Sequence, residues 1–300
     1  MHTLIIMLRV LAYLFVIPVV IPSLASFDIR VHLPVQHIAE WEIPLYVVLY
    51  CLSLLLTPRM FIQSICQILA LISYGMRDYS PYSAASYKQA NEYSLPFKDE
   101  WLVVNGGISQ ESSHSWLIAH PQRYAYDFCI IDEKGEMQSG NKRDVNSYYC
   151  YNKEVLAPAD GVVVKIVNYC SDSRIMGFGI TDKWIKNICG NYIVISHNGG
   201  EYSIIAHLKK DSFVVSLDQK VKRGDMVARC GNTGNSTAPH IHFQVNKGKS
   251  FIFSPGLPVK FSNCTLKLYS KYEAINNSKI YVNESKAGYI TRGYIIKNDV

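Results

Sequence analysis

His240 and His242, in Pro239-His240-Ile241-His242-Phe243, are two imidazoles separated by one apolar residue. In a strand, residues two apart share a face. Both rings then project one way, while Ile241, Phe243 and Val245 turn toward a core. Imidazole is a common zinc ligand and exchanges protons near neutral pH. A buttressed pair of them suits either a metal-bound water or acid–base chemistry. Two strand histidines with no task would show the same spacing, so other residues must decide.

His207 closes a second apolar run, Tyr202-Ser-Ile-Ile-Ala-His207, and Asp127 lies within the aromatic run Gln122-Arg-Tyr-Ala-Tyr-Asp-Phe128. A carboxylate in a buried strand is costly unless it is paired or binds a metal. Arg123 or a lysine could supply the pairing. Zinc is the other solution: it commonly takes three His, Asp or Glu ligands and keeps a fourth position for water, whose pKa falls to about 7. His197 precedes the turn Asn198-Gly199-Gly200 and reads as structural, and His32 and His37 fall in a membrane-proximal loop where no chemistry is expected.

These side chains need elements to hold them. From Ala157 onward the chain is a series of short β-branched runs: Gly161 to Val167, Asn191 to Ser196, Tyr202 to His207, Ser212 to Val215, Asp225 to Cys230 and His240 to Val245. Turn chemistry separates them, and no 3.6-residue period lasts long enough for a major helix. Asn198-Gly199-Gly200 predicts a hairpin turn, and Gly231-Asn-Thr-Gly-Asn-Ser236 a loop ahead of the two histidines. An antiparallel, all-β soluble domain is expected. The 21 tyrosines suit strands.

Several of these segments occur in the order seen in lysostaphin-type zinc metallopeptidases, the LytM or duplicated-hybrid-motif family. They are Gln122 to Phe128, Ala157-Pro-Ala-Asp-Gly161, Asn191 to His197, Tyr202 to Leu208, Val221-Lys-Arg-Gly-Asp225 and Gly231 to Phe243. The resemblance covers about residues 95–260. It implies an antiparallel β-sheet groove with one Zn2+ per chain, and hydrolysis of peptide bonds in bacterial peptidoglycan. By motif, Asp127 and His242 resemble zinc ligands, while His207 and His240 resemble the pair that orients the water and stabilises the oxyanion. The first histidine ligand departs from the pattern. In the short form of the family it lies four residues before the aspartate, where this chain has Arg123. His114, in Ser113-His-Ser-Trp116, resembles a long-loop variant of that ligand, and His120 is the alternative. Relatives that have lost ligands act as binding modules for other wall enzymes, so a catalytically silent scaffold is the competing expectation.

Charge is distributed unevenly around this domain. The first 76 residues hold only Arg9, Asp28, Arg30, Glu40, Glu42 and Arg59, which cancel, so the net charge of +6 belongs to the rest of the 300-residue chain. Two apolar stretches are long enough to meet a membrane. One gives a transmembrane helix over about residues 5–27, with Ser23-Leu24-Ala25 as a competing signal-peptidase site. The other is broken at Thr57-Pro58-Arg59 into a helical hairpin, about 43–57 and 60–76. A membrane anchor over 1–77, a connector over 78–100, the metallopeptidase domain over 101–260 and a β-type extension over 261–300 follow. With three crossings, the positive-inside rule puts Arg9 and Arg59 in the cytoplasm and the domain on the periplasmic or cell-wall side of a bacterial cytoplasmic membrane. A single crossing with an interfacial helix would reverse that. The expected partners are peptidoglycan peptides and the lipid bilayer. No dense Lys/Arg run suggests nucleic acid. Cys170 and Cys189 bracket an insertion between adjacent strands and are candidates for a disulfide in an oxidising compartment.

Overall fold

A computed structural model describes residues 62, 65, 69, 82–113, 115, 120–174, 176, 185–273, 280 and 288–299. The expected helix over 5–27 and the first arm of the hairpin lie outside the described residues. Of the second arm only Ile62, Ile65 and Leu69 are described, all three helical. Among the described residues no helix is long and apolar enough to cross a membrane.

The domain is built from antiparallel strands. In chain order they are β1 (Trp101–Asn105), β2 (Tyr126–Cys129), β3 (Glu154–Leu156), β4 (Gly161–Val167), β5 (Asn191–Ser196), β6 (Tyr202–Leu208), β7 (Lys220–Val221), β8 (Met226–Arg229), β9 (Ile241–Asn246), β10 (Gly256–Leu257), β11 (Cys264–Leu268) and β12 (Tyr294–Asn298). The large sheet runs β11-β12-β1-β2-β9-β6-β5-β4-β7, with β10 beside β9, and β3 pairs with β8 in a second, two-stranded sheet. Residues beyond 261 thus contribute two strands that cover what would be the free edge of β1.

One face of the sheet buries the main core. Trp101, Tyr126, Phe128, Val163, Ile193, Ile195, Ile205, Ile241, Phe243 and Val245 are all closed off from solvent. Each large side chain of this kind contributes roughly 1.5–3 kcal/mol relative to exposure. Tyr192, Val194, Ile204 and Ala206 form a smaller apolar cluster with Phe251 packed on it. The interior strands β5 and β6 are therefore apolar on both faces, which is why they carry the consecutive apolar residues Tyr192-Ile-Val-Ile195 and Ile204-Ile-Ala206 rather than strict alternation.

Two expectations are corrected. Ser212 to Val215 does not form a strand: it makes one backbone bond to β8, Val214 N–H to the Val227 carbonyl at 3.1 Å, and Val214 is 58% exposed. Its β-branched residues lack a neighbour to complete a ladder. Cys170 and Cys189 are free thiols. The Cys170 backbone is instead clamped by Asn191, through Cys170 N–H to Oδ1 and Nδ2–H to the Cys170 carbonyl, both 2.8 Å. Burial raises the pKa of both thiols and keeps them protonated.

The connector is pinned to the sheet by one carboxylate. Glu201, 1% exposed at the start of the β6 hairpin arm, accepts from the Ala90 N–H (2.6 Å), Asn91 Nδ2 (2.7 Å) and the hydroxyls of Tyr93 (2.8 Å) and Tyr87. Burial pushes its pKa up, but these four donors together hold it below the ordinary value. Folding is thus favoured by its ionised form above the unfolded-state pKa, and that contribution disappears as pH falls through the folded-state pKa. Glu201→Gln places an NH2 against donors and is expected to lower unfolding free energy by about 2–3 kcal/mol at neutral pH. In urea titrations the gap between wild type and variant should shrink as the solution is acidified. A gap of constant size would show that the charge is not the source of the effect.

Candidate active site

β2, β9 and β6 lie side by side and bring the singled-out residues to one face. Asp127 on β2 is in register with His242 on β9, and His242 is in register with Ala206 on β6. The expected facing of β9 holds: Ile241, Phe243 and Val245 enter the core while His242 points away from it. His240 sits one residue ahead of the strand, still on the His242 side, 3.7 Å from Asp127 through Nε2 and Oδ1.

His207 reaches this face by an irregularity. It follows Ala206, which already points there, so a regular strand would send His207 into the core. The β5–β6 register shifts here: Asn191 opposes Leu208 and Ile193 opposes Ile205, leaving Tyr192 against both Ala206 and His207. His207 adopts φ 60°, the left-handed region, as the extra residue of this bulge. Its ring lies 4.6 Å from that of His240 and 5.9 Å from that of His242. Leu208, one further on, returns to the core.

Hydrogen-bond direction separates the three imidazoles into two kinds. His207 Nδ1 is 2.7 Å from the Thr233 carbonyl and His240 Nδ1 is 2.8 Å from the Ala238 carbonyl. Carbonyls only accept, so both rings carry hydrogen on Nδ1 and present a bare Nε2 to the site in the neutral state. Burial, followed by the neighbouring His240 and His242, holds His207 well below the ordinary histidine pKa, so it is neutral at pH 7. His242 is turned the other way. Its Nε2 meets Gln244 Oε1 at 2.8 Å and its Nδ1 meets Asp127 Oδ1 at 2.9 Å.

The Thr233 carbonyl that orients His207 is itself fixed. Thr233 Oγ1 accepts from the Asn191 N–H (2.8 Å) and donates to the Leu208 carbonyl (2.9 Å). Gly190 packs directly on it: a Cβ there would come within 2.3 Å of the Thr233 oxygen, and Gly190 has φ +60°. The loop Gly231 to Ser236 is thereby locked beneath the histidines, and Ser236 Oγ lies 3.2 Å from His240 Nδ1.

Asp127 Oδ1 and His242 Nδ1 fit two ligands of one zinc-like ion. Bonds of ~2.0–2.1 Å at a tetrahedral angle put ligand atoms about 3.3 Å apart, close to the separation here. The third donor is not among them: within the described residues no group of three His, Cys, Asp or Glu is placed to hold a metal. His114 lies outside the described residues. His120 begins a one-turn 3-10 helix, His120–Gln122, that leads into β2. The segment carrying both candidates is tied at two points, Ser113 Oγ to the Arg123 carbonyl (2.6 Å) and Gln244 Nε2 to the Pro121 carbonyl (3.2 Å). Arg123, four residues before Asp127, is buried. His197 does no work at this site. It is held by the Asp160 carbonyl (2.7 Å) and Ser203 Oγ (2.8 Å) beside Tyr93. Gln244 and Asn246 were not singled out from sequence, although their i, i+2 spacing after His242 places them on the same face.

Residues 144–253 match the model described as Peptidase family M23, a segment that includes His207, His240 and His242 but begins after Asp127. The lysostaphin-type resemblance is borne out by this match. Among curated proteins, an uncharacterized metalloprotease of Buchnera aphidicola is 40% identical over 95 residues, covering 32% of this chain and 24% of the relative. Peptidoglycan DD-endopeptidase ShyB of Vibrio cholerae is 46% identical over 56 residues, 19% of this chain and 13% of that protein. Murein hydrolase activator NlpD of Escherichia coli is 32% identical over 122 residues, 40% of this chain and 27% of the activator. The chain therefore spans less than a third of the length of each of these relatives.

Proposed function

We propose, from the peptidase family M23 domain that the chain carries over residues 144–253, that the protein is a zinc metalloendopeptidase cutting peptide bonds of bacterial peptidoglycan. Asp127, His242 and a histidine of the preceding loop, His114 or His120, would hold the ion. The observation that carries the reading is the division of the imidazoles: His242 turns Nδ1 to Asp127, while His207 and His240 turn bare Nε2 atoms to the same space. A bound zinc would supply a polarised scissile carbonyl and a water with a pKa near ~7.

The chain's own groups do the rest. Neutral His207, held at Nδ1 by Thr233, accepts the water's proton at Nε2. The N–H so formed, and that of His240 when protonated, donate to the tetrahedral oxyanion, and the proton taken up by His207 then passes to the departing amine nitrogen as the C–N bond breaks. Burial of the site, with His242 only 2% exposed, strengthens these interactions by excluding bulk water. Anchoring by the charge-poor N-terminal 76 residues would hold the domain at the outer face of the cytoplasmic membrane, and the net charge of +6 would favour anionic wall polymers.

A second reading is a silent regulator of wall hydrolases. The likeness to the activator NlpD favours it, as does Arg123 in the place of the short-spaced histidine ligand. One pair of measurements separates the two. The enzyme reading expects about one tightly bound zinc per chain and release of new amino termini from purified peptidoglycan, both removed by a chelator and restored by zinc. A chain with no tight zinc and no cleavage would leave the regulator.

A further inference from the structure

We infer that Gln244 and Asn246 are positioning residues: a buried amide relay that keeps hydrogen on His242 Nε2 and leaves Nδ1 as a lone pair for a metal. The relay has a direction set at its far end. Asn246 Nδ2 faces two carbonyls, Ser254 at 2.9 Å and Ser250 at 3.4 Å, which can only accept. Asn246 Oδ1 must then face the other way, toward Gln244 Nε2 at 2.9 Å. Gln244 Nε2 also donates to the Pro121 carbonyl, so both its hydrogens are committed. Its Oε1 is left for His242 Nε2 at 2.8 Å, where it can only accept.

The consequence falls on the other ring nitrogen. Asp127 Oδ1 stands 2.9 Å from His242 Nδ1. In a ring with one hydrogen, that carboxylate would draw it to Nδ1, into the place a metal must occupy. The acceptor at Nε2 opposes this. Gln244 and Asn246 are 1% and 0% exposed, so water cannot substitute for either amide. The same Gln244 amide grips Pro121, beside His120 and within the segment that also carries His114. One side chain thus orients a metal ligand on β9 and holds the backbone at Pro121, next to His120. Partners of this kind, hydrogen-bonded to a ligating imidazole, typically change metal affinity about tenfold to a hundredfold when removed.

This inference rests on the metallopeptidase reading, and two readouts on the full 300-residue chain keep them distinguishable. Zinc affinity is measured by competition with a chromophoric chelator for wild type, Gln244→Met, Gln244→Glu and Asn246→Leu. Hydrogen on His242 Nε2 is read by 15N-histidine NMR with and without zinc. Gln244→Met, similar in length but without an acceptor at that position, is expected to weaken zinc about tenfold to a hundredfold and to abolish the slowly exchanging Nε2–H signal. Gln244→Glu keeps an oxygen toward Nε2 but sets its other oxygen against the Asn246 Oδ1 and Pro121 carbonyl acceptors, so its zinc affinity should fall between those of wild type and Gln244→Met. Asn246→Leu should give a smaller loss through misorientation of Gln244. Unfolding midpoints identify any variant that fails to fold, in which case Asn246→Leu carries the test. Gln244→Met that binds zinc as tightly as wild type, or a wild-type ring with no hydrogen on Nε2, overturns the relay. Wild type without tight zinc but with the Nε2–H signal, lost in Gln244→Met, supports the relay while overturning the peptidase reading.

Discussion

Asp127→Ala is expected to remove zinc and peptidoglycan cleavage together. Asp127 Oδ1 is the charged neighbour of His242 Nδ1 at 2.9 Å, and it also faces His240 Nε2 at 3.7 Å. Without it, the remaining neutral imidazoles must hold a divalent ion with no compensating negative charge. A metal ion held here would contribute several kcal/mol to the transition state, and each ~1.4 kcal/mol is tenfold, so turnover should fall by at least about 10³-fold. His242→Ala should do the same by removing the other donor. The check is metal content after dialysis alongside the rate of new amino termini. Asp127→Asn is the more telling variant, because the amide nearly preserves shape and can still hydrogen-bond. If Asp127→Asn retained one zinc and wild-type turnover, Asp127 would be no ligand and the site would have to be rebuilt around other residues.

The sequence exposed the parts of this arrangement that follow from strand periodicity. The i, i+2 spacing of His240 and His242 gave their common side, and alternation gave the buried Ile241, Phe243 and Val245. The aromatic run around Asp127 marked a buried strand, β2. Periodicity fails where the backbone departs from it. Nothing in Ile204-Ile205-Ala206-His207-Leu208 signals a bulge, and a regular strand would have buried His207 on the wrong face; the register shift that rescues it is set by tertiary pairing with β5 and by the Thr233 carbonyl. Hydrogen-bond direction is equally invisible in one dimension. Gln244 and Asn246 look like ordinary exposed-face residues of an alternating strand, yet the Phe251–Ser254 turn and the Pro121 segment cover them and convert a polar face into a buried one. The first histidine ligand could not be fixed from sequence because Arg123 breaks the short spacing to Asp127. The choice between His114 and His120 depends on the path of a loop rather than on the period of a strand.

Replacing His207 or His240 should have the opposite signature from Asp127→Ala: zinc is retained and turnover is lost. Neither ring points its bare Nε2 at Asp127 as closely as His242 presents Nδ1, and each is held from behind by a backbone carbonyl in the manner of a proton carrier. General acid–base groups of this kind contribute about 10²–10⁴-fold, which is the expected fall in turnover for each single variant. The choice of replacement matters at position 207. With φ 60°, alanine there adds backbone strain to the loss of the ring, so a dead His207→Ala would mix two causes. Asparagine tolerates the left-handed region, and its amide N–H can still reach toward the Thr233 carbonyl, so His207→Asn removes the proton-accepting nitrogen with least damage to the bulge. His240→Ala lies in no such strained position and serves as the independent case. Zinc stoichiometry near one with turnover down by two orders of magnitude or more in both variants is the expected result. Because the two rings lie 4.6 Å apart and serve the same tetrahedral oxyanion, the double variant should be little worse than the worse single one. Full multiplication of the two losses would mean that they serve separate steps, and wild-type turnover in either single variant would remove that histidine from the chemistry.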